Sequence, residues 1–131
     1  MHNQCLYDYA IIRVIPRVER EEFVNAGVIL SCKKSDYLGV RIELDENRLL
    51  ALNPTADLKT INKHLTAITR ICNDGEGPIG QLTRRERFHW LVAPRSTMIQ
   101  TSAVHAGYCS DTVLELERLV DTMVRTPKPV H

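Results

Sequence analysis

The strongest constraint on the fold is a series of three extended apolar segments joined by short connections. Residues 7–15 are rich in aromatic and β-branched side chains and stop at Pro16, which indicates a strand. Residues 23–32 form an apolar run in which Gly27 indicates a bulge or a close backbone approach. Residues 37–44 alternate apolar and polar side chains. The short connections predict an antiparallel meander of these three strands.

Helical patterns follow the third strand. Asp45 is expected to cap a short helix that ends at Leu52, before a proline. Residues 58–72 carry apolar side chains at helical spacing and predict the clearest amphipathic helix of the chain. Residues 73–80 are expected to form a turn-rich break.

A second helical region is marked by a capping signal. Thr83 and Glu86 form a T-x-x-E capping box, which predicts a helix that begins at Thr83 and stops near Pro94. Phe88 and Trp90 on this helix are expected to be core residues.

The last part of the chain predicts one more strand and one more helix. We expect a fourth strand at residues 96–104, a turn at 105–111, and a final helix capped by Asp111. Residues 1–125 are expected to form a single α+β domain, and residues 126–131 a disordered tail. The predicted architecture is a four-stranded, mainly antiparallel sheet packed with about four helices.

Composition narrows the classes of function. The chain has 131 residues, with 17 Lys and Arg against 16 Asp and Glu, so it lacks the basic surplus of a generic nucleic-acid binder. Its four cysteines form no C-x-x-C pair, which argues against a zinc ribbon. We see neither a signal peptide nor an apolar run long enough to span a membrane, and we expect a cytoplasmic protein without cofactors.

The segment APRSTMIQTS, residues 93–102, gathers an unusual number of polar side chains. Arg95 offers a planar fork for an anion, and Ser96 and Thr97 add hydroxyl groups. A serine nucleophile would also need a base and an orienting group, and no G-x-S-x-G motif surrounds Ser96. An anion or catalytic site, a protein contact surface and a polar edge strand remain open as interpretations.

A second polar segment, PRVEREEF at residues 16–23, connects the first two strands. Its carboxylates could perform acid–base chemistry or hold a metal, but a solvated hairpin loop is the favoured interpretation. If the fourth strand pairs antiparallel with the first, both polar segments would form one surface. The predicted binding patch comprises Arg17, Glu19, Glu22, Asn25, Arg95, Ser96, Thr97 and Gln100.

Two further clusters carry weaker signals. His105 and Cys109 supply too few ligands for a metal site, and we predict none. Arg84, Arg85 and Arg87 could meet phosphates, but a solvated helix face is the favoured interpretation.

Two stretches carry a family resemblance: YAIIRVIPRVEREEFVNAGVIL and LVAPRSTMIQTSAVHAG. Together with the closing helix, they resemble the domain of unknown function 3037 family of small bacterial proteins, over about residues 6–125. In this chain Ala26 stands where the family commonly has a larger aliphatic residue. Family members are often encoded beside a kinase similar to the HipA toxin kinases, which implies a role as partner or modulator of such a kinase.

We therefore expect a non-enzymatic interaction or regulatory protein that binds a protein partner, with a HipA-like kinase as the implied one. The alternative is a small anion- or nucleotide-binding protein or enzyme that uses Arg95, Ser96 and Thr97 with Glu19 or Glu22 as base. The sequence leaves the oligomeric state open.

Overall fold

The computed structural model describes residues 4–73, 77–94 and 98–127. Its strands are β1 (Cys5–Arg17), β2 (Glu22–Cys32), β3 (Tyr37–Ile42), β4 (Ile99–Thr101) and β5 (His105–Cys109). Its helices are α1 (Glu46–Leu52), α2 (Leu58–Asn73), the single turn α3 (Gly77–Gly80), α4 (Arg84–Val92) and α5 (Thr112–Met123). A 3-10 turn, Val18–Arg20, joins β1 to β2. The predicted α+β class is confirmed, with five strands rather than four.

The strands form one antiparallel sheet in the order β3-β2-β1-β4, and β5 pairs with the other half of β1. The predicted meander of β1, β2 and β3 is confirmed. The fourth strand pairs antiparallel with the first, which is the condition set above for a shared polar surface. β4 and β5 thus follow one another along the same side of the long strand β1.

The strand β5 corrects the prediction of a turn at residues 105–111. Gly107, within that predicted turn, lies in the middle of β5 opposite Tyr7 of β1. A β-carbon at Gly107 would lie 2.7 Å from the Tyr7 hydroxyl oxygen. The glycine therefore makes room for the tyrosine ring in the neighbouring strand, which is a reason for glycine within a strand.

Helices cover the sheet on both faces. Helices α1, α2 and α4 enclose one core, which includes Ile12, Val14, Leu65 and Phe88. Helix α5 packs mainly over β2 and β3 on the other face, where Tyr7 and Leu30 belong to a second core. Side chains of β1 alternate between these two cores, as expected of a central strand.

The predicted helix starts are confirmed by their caps. Asp45 accepts a hydrogen bond from the Arg48 amide at 3.1 Å, and Asp111 accepts two from the amides of α5. Thr83 and Glu86 form both hydrogen bonds of the capping box. The turn-rich break predicted at 73–80 is wrong in part, since residues 77–80 make the helical turn α3 and residues 74–76 lie outside the described residues.

A bulge in β2 positions the polar side chains considered below. Ile12 of β1 pairs with Gly27, but the next residue, Arg13, pairs with Asn25, so Ala26 is the extra residue. A β-carbon at Gly27 would lie 2.6 Å from the carbonyl oxygen of Arg41, which confirms the predicted close approach. The bulge allows Arg13 and Asn25 to lie side by side on the α5 face of the sheet.

Candidate functional site

A row of three polar side chains crosses three adjacent strands on the α5 face. Gln100 of β4 pairs with Arg13 of β1, and Arg13 pairs in turn with Asn25 of β2. Directly paired residues project from the same face of a sheet, so the three side chains are neighbours. We call Gln100, Arg13 and Asn25 the arginine row. The sequence prediction included Gln100 and Asn25 but missed the residue between them.

Arg13 is half-buried and lies on an aromatic ring. Its guanidinium carbon is 4.3 Å from the centre of the Phe23 ring, a cation–π geometry. The Nε atom of Arg13 is buried and has no hydrogen-bond partner among the described residues. No acidic side chain in the described part of the chain forms an ion pair with it. Among the described residues, Arg13 is therefore held by an aromatic ring and not by a carboxylate.

Asn25 completes the row on the other side of Arg13. Its amide nitrogen donates a hydrogen bond of 2.9 Å to the carbonyl oxygen of Met123, at the C-terminal end of α5. This bond fixes the amide and anchors the end of the helix. The amide oxygen is buried and without a hydrogen-bond partner among the residues that the structure describes.

The acidic part of the predicted patch lies in and next to the turn that joins β1 to β2, beyond the arginine row. Arg17 and Glu19 form an exposed ion pair at 4.0 Å, and Glu22 pairs with Arg20. Because β1 lies between β2 and β4, Glu22 is separated from β4 by two strand spacings, about 10 Å. The pairs between these residues are exposed, so they contribute little to stability.

Three members of the predicted patch, Arg95, Ser96 and Thr97, lie outside the described residues. Their proximity to Glu19 and Glu22 therefore stays a prediction. The backbone just after them is described: the carbonyl oxygen of Met98 accepts a hydrogen bond of 2.7 Å from the amide of Ile15. The beginning of the fourth strand thus lies beside the end of the first, as the antiparallel pairing requires.

The polar segment also borders a groove between α2, α4 and β4. The groove encloses about 240 Å³ and is lined mainly by apolar groups, among them Ile68, Trp90 and Pro94. Phe88 is buried as predicted, whereas Trp90 is half-buried and forms part of the groove wall. His64 is the ionisable side chain among the described residues of this lining. Such a surface suits an apolar side chain better than a charged ligand.

The hydroxyl groups of Thr101 and Ser102, at the end of β4, form structural hydrogen bonds. Ser102 is buried; its Oγ accepts a hydrogen bond of 2.9 Å from the Ile11 amide and donates one of 2.9 Å to the Ala103 carbonyl oxygen. Thr101 donates to the carbonyl oxygen of Val92 at 3.3 Å. These two side chains continue the pairing with β1 and join β4 to α4, which is a structural use of polar groups in the strand.

The arginines at the start of α4 have internal partners. Arg85 pairs with Asp8 at 2.6 Å and donates to Ser31, and Arg84 pairs with Asp36 at 3.0 Å. Arg87 is buried and donates to the carbonyl oxygen of Ile71 at 2.8 Å. The predicted solvated helix face is therefore wrong for Arg87, which fastens α4 to α2. These contacts engage terminal guanidinium nitrogens of all three arginines, whereas the buried Nε of Arg87 has no hydrogen-bond partner among the described residues.

The pair His105 and Cys109 lies along one strand rather than in a turn. Four residues of extended chain separate their α-carbons by about 13 Å, which is too far for a shared metal ion. Across residues 4–73, 77–94 and 98–127, no group of three or more His, Cys, Asp or Glu side chains is arranged to hold a metal.

The signal that could have identified Arg13 is present in the sequence. YAIIRVI is an apolar run interrupted by one arginine, and a charged residue in a central strand needs a specific reason. Gly27 indicated a bulge in the sequence, but not its register, which brings Asn25 rather than Ala26 beside Arg13.

Comparison with known proteins gives a family but no activity. The family model described as "Protein of unknown function (DUF3037)" matches residues 9–124 of the chain. No curated protein and no solved structure matches the chain. Among the described residues, no helix has the length and apolar character needed to cross a membrane. The match spans most of the chain, and we conclude that this protein belongs to the DUF3037 family of proteins of unknown function.

Proposed function

We propose that the chain is a protein-binding module whose arginine row receives an acidic residue of a partner. The observation that carries the proposal is Arg13: a half-buried cation stacked on Phe23, with no acidic partner among the described residues. Arginine is enriched among the residues that dominate binding energy at protein interfaces, where its planar group stacks and forms paired hydrogen bonds.

Two atoms of the arginine row that lack hydrogen-bond partners among the described residues, Arg13 Nε and Asn25 Oδ1, indicate the chemistry of the partner. Arg13 needs a hydrogen-bond acceptor and the Asn25 oxygen needs a donor. An acidic residue offers both, a carboxylate for the guanidinium and a backbone N–H for the amide oxygen. Phe23 is 43% exposed and adds apolar area beside the charge. A charge-assisted hydrogen bond next to an aromatic surface is a typical centre of an interface.

The partner we propose is a HipA-like kinase, as the family resemblance implies. The exposed pairs of Arg17 with Glu19 and of Arg20 with Glu22 would border the arginine row and fix the orientation of the partner. Charges at an interface rim affect specificity and association rate more than affinity. This assigns the central role to Arg13 and a peripheral role to the acidic loop.

Co-purification tests the proposal. The chain is co-expressed with a HipA-like kinase of the same organism, and complex formation is followed at micromolar concentration. We expect the kinase to co-elute with the wild-type chain and with Arg70→Gln, a control on the exposed surface of α2. The Arg13→Gln chain should elute alone. A folded wild-type chain that forms no complex with the folded kinase would contradict the proposed partner.

The unpaired Nε of Arg13 also suits a second candidate function, the binding of a small carboxylate or phosphate ester. A ligand at about 100 times its Kd stabilises a fold by roughly 2.7 kcal/mol, which a thermal-shift screen detects. This alternative predicts a shift for the wild-type chain and none for Arg13→Gln. A shift with a small anion in the absence of any kinase complex would favour this second function over the first.

A further inference from the structure

The sheet edge formed by β4 and β5 carries no charged side chain. The sequence contains no Asp, Glu, Lys or Arg between Arg95 and Asp111. Both strands lie on the outer side of β1, and among the described residues β5 pairs with β1 alone. Proteins that remain monomeric commonly protect such an edge with lysine, proline or a covering element. This edge contains neither lysine nor proline.

The opposite edge of the same sheet is protected by charge and by helices. Arg41 of β3 pairs with Glu117 of α5 at 2.6 Å and with Glu43 at 3.3 Å. Helices α2 and α5 both pack against β3. Among the described residues, the helices make fewer contacts with β5 than with β3, so the two edges of one sheet differ in how they exclude another strand.

Exposed apolar side chains cluster around β5. Tyr108 is 69% exposed, and its cross-strand partner Leu6 is 53% exposed. Val104, just before β5, is 45% exposed, and Leu114 at the start of α5 is 68% exposed. Tyr108 and Leu114 line the same shallow depression. The open edge and an apolar surface therefore coincide.

We propose that a second copy of this chain pairs with β5 and extends the sheet across a two-fold axis. An antiparallel pairing centred on Gly107 sets Tyr108 of each copy opposite the small Ala106 of the other. The two residues lie on the same face as Leu6, so this arrangement covers the exposed tyrosine. A two-fold contact places the same surface of both copies face to face, so a charged side chain near the axis would meet its own like charge. The strand β5 has no Asp, Glu, Lys or Arg and avoids this repulsion.

Sedimentation of the full chain tests this proposal independently of any partner. At about 100 μM, where a complex with a Kd near 10 μM is mostly assembled, we expect twice the mass of the chain. Tyr108→Lys places two cations in the interface and should weaken dimerisation at least tenfold, so that half or more of the chains are monomeric at this concentration. Val18→Lys changes an exposed apolar residue in the turn between β1 and β2 and should remain dimeric.

Circular dichroism establishes that each variant is folded. Should Tyr108→Lys fail to fold, Ala106→Lys introduces the same charge at another exposed position of β5. A monomeric wild-type chain would overturn the proposal and leave the edge open to a strand of another protein. A folded lysine variant that stays dimeric would overturn it as well, because the dimer would then use another surface.

Discussion

Arg13 and Asn25 are cross-strand partners on the α5 face of the sheet, and each holds a buried polar atom without a hydrogen-bond partner among the described residues. An unsatisfied buried polar group costs about 1–3 kcal/mol. Two such atoms side by side, one donor and one acceptor, lower the stability of the free chain. A ligand that satisfies both recovers this energy on binding, which links the cost to function.

Replacing Arg13 by methionine separates stability from binding. The substitution loses a cation–π contact of about 0.5–1 kcal/mol but removes a buried unpaired donor. We expect the free energy of unfolding, measured in urea, to change by less than about 1 kcal/mol. A loss above about 3 kcal/mol would indicate that Arg13 supports the fold instead.

The hydrogen bond from Asn25 to Met123 predicts a local effect on α5. Asn25→Ala should lower the free energy of unfolding by about 1 kcal/mol and speed amide exchange in the last turn of the helix. Asn47→Ala, at an exposed position of α1, is the matched control and should leave exchange in α5 unchanged. Equal exchange rates in both variants would refute the anchoring role of Asn25.

Alkaline pH should destabilise the fold through Tyr7. Burial, together with the hydrogen bond that Tyr7 donates to Glu115, raises the pKa of Tyr7 from 10.0 to about 12. Because folding favours the protonated phenol, this contribution to stability is present below pH 10 and is lost as the pH rises towards 12. Denaturant titrations between pH 8 and about 11 should show the decline.

Two variants test the assignment to Tyr7. Tyr7→Phe should show a shallower decline than the wild-type chain, since the thiol of Cys72, whose pKa burial raises to about 12, still contributes. Cys72→Ala removes the buried thiol and should keep the part of the decline that Tyr7 contributes. If Tyr7→Phe retained the full slope, the alkaline loss would originate elsewhere.

The close approach at Gly27 predicts that alanine is poorly tolerated there. An added β-carbon would lie 2.6 Å from the carbonyl oxygen of Arg41 and 3.2 Å from the Ile12 side chain. Strands β2 and β3 would have to move apart, and we expect Gly27→Ala to cost about 1–3 kcal/mol in urea denaturation. An unchanged unfolding midpoint would mean that the sheet adjusts at this position without loss of packing.

Local sequence patterns were enough to predict the meander, the main helices and their caps, because apolar periodicity and capping residues act within a few positions. The strand β5 was missed because the reason for glycine at position 107 is not local. Gly107 makes room for the ring of Tyr7, which lies a hundred residues earlier in the chain. The arginine row was found only in part for a similar reason. Its geometry depends on the exact register of the bulge next to Gly27 and on pairing across β1, and neither can be read from local sequence.

The most direct test of the account compares the affinity of the kinase for the wild-type, Arg13→Gln and Arg70→Gln chains by calorimetry. Removing one partner of a desolvated charge pair costs about 2–5 kcal/mol, which corresponds to a Kd at least 30-fold higher. We predict this loss for Arg13→Gln and a Kd within about twofold of wild type for the exposed control Arg70→Gln. Equal affinities of all three chains would contradict a binding site centred on Arg13.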